Sequence, residues 1–257
     1  MDRRAAAAHD ACMENISLSF VAFVFALAGA VKGVTGLGLP TLSMALLGWS
    51  MAPAQAAALM LLPSLLTNLA QCVGPHARVL ARRLWPLWLA MGIVAAFAPV
   101  PGLGASRSFA AGLLGAVLAA YGLWGLVKPA LPRPGRRERW IAAGAGALSG
   151  LLTAATGVFV MPLVPFLQSM KLERDALVQA LGLSFTLASL ALAVRLEGLG
   201  SGLATEAWPL HAVAVAAAFA GLGAGASLRG LLRAATFQRA LYAVFVMLGL
   251  ALLAKAL

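Results

Sequence analysis

Few residues in this chain have the chemistry to act on a solute, and they gather in two places. The first is Lys32-Gly-Val-Thr-Gly-Leu-Gly-Leu-Pro-Thr41, whose lysine is the only basic residue in the apolar stretch 15–77. An ammonium held among apolar residues attracts an anion. The same side chain can instead lay its stem along lipid and keep its head at the interface. Both readings of Lys32 stand on sequence alone. Gly33, Thr35, Gly36 and Gly38, followed by Pro40, do not favour a continuous helix, because Gly costs about 1 kcal/mol and Pro about 3 in a helix interior. The spacing therefore predicts that residues 33–40 are non-helical. Freed backbone groups are tolerated at membrane depth only when buried in protein or facing a watery cavity. A break here predicts a cavity, beside which half-helix N-termini would offer N–H groups and positive dipole ends to an anion. Glycines also serve simply to pack membrane helices closely, but the mixture of Gly, Thr and Pro favours the break.

The second place is Gly150-Leu-Leu-Thr-Ala-Ala-Thr-Gly-Val-Phe-Val-Met-Pro162, in which Thr153, Thr156, Gly157 and Pro162 recur in a similar order. Residues 153–162 are expected to be non-helical too, and to approach the first break. Matching interruptions in two halves of a chain point to a transport site. Ser64, Thr67, Asn68 and Gln71, then Gln179, Ser184, Thr186 and Ser189, form a fainter polar set in the helices that follow. Most of these tie helices together; Asn68 and Ser184, one helix after each break, are expected to line the cavity. The candidate substrate-binding residues are thus Lys32, Gly33, Thr35, Gly36, Gly38, Asn68, Thr153, Thr156, Gly157 and Ser184.

Other chemistries find no residues. All eight acids (Asp2, Asp10, Glu14, Glu138, Glu173, Asp175, Glu197 and Glu206) fall in loops or tails, leaving no buried carboxylate for a proton relay. His9, His76 and His211 are scattered, with no partner at metal spacing. No Gly-rich loop ends in Gly-Lys-Ser/Thr, so no nucleotide motor is encoded. No nucleophile–base pair lies in the apolar regions, and Cys12 and Cys72 are too few for a disulfide framework. The expectation is a protein that is not an enzyme and takes no metal or cofactor.

The elements that position these residues are set by composition. The 257 residues are 62% hydrophobic and 11% charged, with mean hydropathy +0.93. A soluble domain carries about a quarter charged residues. Runs free of Asp, Glu, Lys and Arg cover 15–31, 33–77, 84–106, 108–127, 140–170, 176–194, 207–228 and 240–254. A crossing helix needs about 20 apolar residues, so the chain reads as an all-α polytopic membrane protein. The net charge of +11 comes from short basic clusters between apolar runs. These are loop anchors under the positive-inside rule rather than a nucleic-acid surface. Arg3 and Arg4 precede an apolar stretch that starts at Ile16 and runs past Gly33, which reads as an uncleaved first helix.

A linker rich in proline and basic residues, Lys128–Arg139, divides the chain near its middle. The order of features before it (Gly29–Gly33, Thr35, Gly36, Pro40, Ser50-Met51) recurs after it (Gly146–Gly150, Thr153, Thr156, Gly157, Pro162, Ser169-Met170), with a few residues of slippage. Four crossings per half, with the N-terminus inside, would put twelve basic residues inside, six outside and Lys32 within the membrane. Five elements per half, with both termini outside, puts fourteen inside and five outside, a better fit to the positive-inside rule. An odd number of elements per half makes the repeats antiparallel, a common transporter plan. The expected organisation is a tail at 1–15, a first membrane repeat at 16–127, a cytoplasmic linker at 128–139 and a second repeat at 140–257. Each repeat has about five membrane elements, giving eight full crossings plus short or broken elements at 36–49 and 157–168. The ordinary helices closing each half are expected at 84–101, 107–127, 207–225 and 238–256.

The segments Leu27-Ala-Gly-Ala-Val-Lys-Gly-Val-Thr-Gly-Leu-Gly-Leu-Pro40 and 146–162, with helices at 55–73 and 176–194, resemble the TauE/SafE family of sulfite or sulfoacetate exporter-like permeases. The resemblance covers nearly the whole chain. It departs from the family where Gly38-Leu-Pro stands in place of a denser glycine run. It implies export or uptake of a small organic or inorganic anion, often linked to sulfur metabolism, across a bacterial-type inner membrane. The expected partners are a small anionic substrate and the lipid bilayer, with a homodimer allowed and nucleic acid excluded. The alternative is a non-transporting membrane assembly or sensor protein whose glycines only pack helices.

Overall fold

The computed structural model describes residues 17–129, 131–200, 208–230 and 233–256. The tail at 1–15, with Cys12, and Glu206 lie outside the described residues. All regular structure among the described residues is helical. The helices are α1 (Leu18–Thr35), α2 (Leu39–Ser50), α3 (Pro53–Cys72), α4 (Ala77–Phe97), α5 (Arg107–Val127), α6 (Glu138–Thr156), α7 (Leu163–Ser169), α8 (Arg174–Gly198), α9 (Trp208–Leu228) and α10 (Ala234–Ala256).

Their boundaries follow from local chemistry. Ser17 and Ser106 accept from the amides of Phe20 and Phe109 at the starts of α1 and α5, and Pro53 opens α3, where its missing N–H costs nothing. Helices α1 and α6 both end on a glycine in the left-handed region, Gly36 at φ +80° and Gly157 at φ +73°. The breaks are narrower than the sequence predicts. Residues 33–35 and 153–156 are helical, and the interruptions span only Gly36–Gly38 and Gly157–Pro162. A single left-handed glycine stops a helix, so the residues just before it keep their helical bonds. Helix α4 starts at Ala77 rather than near 84, because Arg78, Arg82 and Arg83 are good helix formers at a helix end.

Among the described residues, seven helices (α1, α3, α4, α5, α8, α9 and α10) are long and apolar enough to cross a membrane. The eighth expected crossing, α6, has 19 residues. At 1.5 Å per residue this nearly matches a hydrocarbon core of about 30 Å, but Glu138, Arg139 and its many small residues leave it less apolar. Helices α2 and α7, at 12 and 7 residues, are too short to cross.

Contacts fix the helix directions. Gly29 faces Ala218 and Gly33 faces Leu222, so α1 and α9 run parallel; Gly146 faces Leu87 and Gly150 faces Met91, so α4 and α6 do too. Gln71 meets Gly182 and Ser64 meets Ser189, so α3 and α8 are antiparallel. Gly115 meets Gly249 and Gly122 meets Tyr242, so α5 and α10 are antiparallel as well. Helix α1 runs parallel to α3, and α4 to α8. With α1 and α3 parallel, α2 carries the chain back between them. Helices α2 and α7 are buried along most of their length, whereas Phe23, Ile93, Phe97, Phe219 and Met247 are exposed on the outside. Apolar bulk turned outward is what a lipid-facing surface requires.

Candidate functional site

Lys32 lies in the last turn of α1 and is 1% exposed. Its Nζ donates to Thr67 Oγ1 at 3.1 Å and to Asn68 Oδ1, both on α3. Asn68 Nδ2 donates to Ser64 Oγ at 3.2 Å, and Ser64 Oγ lies 3.3 Å from Ser189 Oγ on α8. Thr67 Oγ1 in turn donates to Pro63 O at 2.7 Å, where a proline inside the helix removes a backbone donor. Cys72 Sγ sits 3.3 Å from Thr186 Oγ1, extending the polar strip one turn along the α3–α8 seam. A lysine that snorkels would show its head to solvent; this one is enclosed by neutral oxygens. The described carboxylates, Glu138, Glu173, Asp175 and Glu197, all lie near helix ends. None of them pairs with Lys32, and the one ion pair among the described residues is Arg83–Glu138.

The break beyond Lys32 is held from the same seam. Gln71 Nε2 donates to Gly36 O at 3.2 Å, and Arg229 at the end of α9 donates to Gly33 O through Nε at 3.0 Å and Nη2 at 2.6 Å. Gln179 bolts α8 to the loop after α3, donating to Cys72 O and Gly74 O at 2.8 and 3.0 Å and accepting from the His76 amide at 3.0 Å. Gln71, His76, Arg174, Gln179 and Arg229 line an open cavity of about 710 Å³ at this end of the bundle. It lies about one helical turn beyond Lys32, since Gln71 reaches Gly36 and Gly36 caps the turn that begins at Lys32.

The predicted residues divide into groups. Lys32 and Asn68 meet directly. Gly33 packs instead: a Cβ there would meet Leu222 O, Ala226 N and Gly225 Cα. Thr35 and Thr156 serve their own helix ends in the same way, each hydroxyl bonding the carbonyl four residues back and accepting the amide two residues on. Gly38, at φ +103°, caps the start of α2. Thr153 bonds Ser149 O, and Ser184 receives Trp88 Nε1 at 2.8 Å on the α4 side of α8.

The expected approach of the two breaks is not found. Gly36 is tied to Gln71 near the C-terminal end of α3, while Gly157 lies against Met44 and against Ala57 near the N-terminal end of α3. Helix α1 runs with α3 and α6 runs against it, so their C-terminal ends fall at opposite ends of α3.

Two buried hydroxyls escape the sequence argument. Thr41 Oγ1 in the first turn of α2 and Ser149 Oγ on α6 have no hydrogen-bond partner among the described residues. Ser149 precedes Gly150 as Lys32 precedes Gly33, and Gly33 and Gly150 make equivalent contacts, with α9 and α4 respectively. That neighbourhood was the signal that could have singled Ser149 out. The slippage between the halves is explained as well. From Gly33 to the capping Gly36 is three residues and from Gly150 to Gly157 is seven, so α6 carries one extra turn.

Gly36 allows a clean test of the break. A Cβ there meets nothing within 4 Å, so an alanine is penalised only by the left-handed backbone, at about 1–2 kcal/mol. Gly36→Ala is expected to lower thermal stability, whereas Gly144→Ala, in open space inside a helix, should raise it or leave it unchanged. Gly115 is no neutral control, since its Cβ would strike the α10 backbone, Gly249 O at 2.6 Å.

Spanning-length helices, short buried elements between parallel neighbours and a polar seam around a buried lysine define a multi-pass helical membrane protein. The family model for sulfite exporter TauE/SafE matches residues 21–252. The chain belongs to the TauE/SafE family, a family of membrane transporters. No curated protein and no solved structure matches the chain.

Proposed function

We propose that this protein is a secondary carrier for a small oxyanion, such as sulfite, an organosulfonate or a short carboxylate, and that the anion binds at Lys32, Thr67 and Asn68. The observation that carries the reading is a buried lysine whose described partners are all neutral oxygens. Burying an ammonium costs several kcal/mol unless an opposite charge or a dense set of acceptors offsets it. An anion arriving at Nζ supplies the missing charge where low dielectric makes the attraction strong. The family's description as sulfite exporters agrees in sign and size of ligand. The cavity lined by Arg174, Arg229 and Asp175 supports one route of access, since its net positive lining draws anions toward the α1 break. Thr41 and Ser149 are further hydroxyls for an anion on its way through.

The same reading makes the two halves inverted repeats. Pairing α1–α5 with α6–α10 in order turns α1·α9 contacts into α6·α4 contacts and maps α3·α8 and α5·α10 onto themselves. Every helix direction reverses under that pairing. This supports first and second repeats at 16–127 and 140–257; a bacterial-type inner membrane is the setting the reading assigns them. The end bearing Arg78, Arg82, Arg136, Arg137 and Arg229 is then cytoplasmic.

Flux into proteoliposomes tests the function. Sulfite, sulfoacetate and short carboxylates are compared with a neutral solute of similar size. Saturable flux of at least one anion, competed by the others and absent for the neutral solute, is expected. Folded protein that carries none of them leaves the chain as a non-transporting assembly or sensor protein.

A further inference from the structure

A second charged surface lies away from the Lys32 seam. Helices α4 and α6 start at the same end of the bundle and run parallel, so their positive dipole ends sit side by side. Arg83 crosses between them to Glu138, with Nε–Oε1 at 2.5 Å and Nη2–Oε2 at 2.6 Å. Around this pair Arg82, Arg136 and Arg139 line an open groove of about 670 Å³ and have no carboxylate partner among the described residues. Arg82, Trp85, Leu89 and Ile93 follow at i, i+3, i+4 spacing along one face of α4. The last three are about half exposed, and with Trp88, Phe97 and, on α8, Leu187 they line a separate apolar groove of about 460 Å³ on the α4–α8 side. Trp140, in the first turn of α6, is 82% exposed, and an exposed indole at a helix end marks the headgroup level of a bilayer.

We propose that an anionic phospholipid binds here, its phosphate in the α4–α6 groove among Arg82, Arg136 and Arg139 and one acyl chain down the neighbouring face of α4 along Trp85, Leu89 and Ile93. A free oxyanion would be served by the arginines alone. The apolar face of α4 that follows Arg82 fits a ligand with a charged head and a long apolar tail. Basic pockets between membrane helices on the cytoplasmic side bind such headgroups. Glu138 neutralises one of the four arginines, which leaves net positive charge facing the phosphate.

The test is retention of phosphatidylglycerol against phosphatidylcholine by the purified full chain in mixed micelles, read by native mass spectrometry, with inorganic phosphate as a soluble competitor. Wild type is expected to prefer phosphatidylglycerol by about tenfold or more, since several basic residues near a membrane surface act together on one anionic headgroup. R82Q/R136Q/R139Q should lose most of that preference while Arg107→Gln, at the opposite end of the bundle, keeps it. Glu138→Gln removes the only acid in the groove and should strengthen the preference, which keeps the test decisive if the triple variant fails to fold. Unchanged preference in the triple variant overturns the proposal. So does a weakened preference in Glu138→Gln, or displacement of the lipid by millimolar inorganic phosphate.

Discussion

Lys32→Met is expected to raise the half-saturating anion concentration at least tenfold, about 1.4 kcal/mol, while the protein still folds and inserts. Met keeps the length and apolar stem of lysine and drops the charge that faces the substrate. Stability should hold or rise, because a buried ammonium held only by neutral acceptors is a net cost to the folded state. Lys32→Arg should rescue poorly. Its planar fork is larger than an ammonium and must fit a space closed by Thr67 and Asn68, both about fully buried. Flux against substrate concentration for the three proteins, normalised to folded protein, checks this. Affinity unchanged in Met would remove Lys32 from the site and leave the anion to hydroxyls and backbone amides.

Gly29→Val should lower stability sharply, because the obstacle is backbone rather than side chain. A Cβ at Gly29 would run into the carbonyl of Ala218, with Leu222 N at 3.0 Å, and Gly221 and Gly225 meet the α1 backbone in return. Small residues let two membrane backbones touch this closely, and no rotamer change makes room for a larger one. Overpacking of this kind costs about 1–3 kcal/mol. The effect should read out as a lower midpoint in thermal or denaturant unfolding, against Gly144→Val as the comparison. Equal midpoints would mean that α1–α9 contact does not set stability.

The legible part of this protein was whatever follows from one dimension of pattern. Apolar run length announced the spanning helices, and Gly36 and Gly157 marked where α1 and α6 stop. Gly-rich packing and helix breaking were offered as rivals for the 32–41 segment, and both occur within it. Gly33 packs against α9, while Gly36 and Gly38 make the turn. Sequence could not divide them, because a glycine's role depends on which neighbour its missing Cβ faces. Lys32 was ambiguous for the same reason: burial is a property of α3 closing over α1. Thr67 and Gln71 looked like ordinary interhelical polar residues until their registers placed one on Lys32 and the other on Gly36. Arg229, read only as a loop anchor, reaches Gly33 from a helix nearly two hundred residues later in the chain, a contact that no local spacing encodes. The separation of the two breaks was missed because matching order along the chain says nothing about depth when α6 runs against α1.

The most direct measurement of the central claim is anomalous scattering from selenite, the selenium counterpart of sulfite, in crystals of the unlabelled protein. The account predicts a selenium peak within about 4 Å of Lys32 Nζ, in charge-assisted hydrogen-bond reach of Thr67 and Asn68, and no such peak in Lys32→Met. An ordered selenium confined to the open cavity beside Arg229, with the Lys32 cluster unoccupied in crystals of wild type, would contradict it.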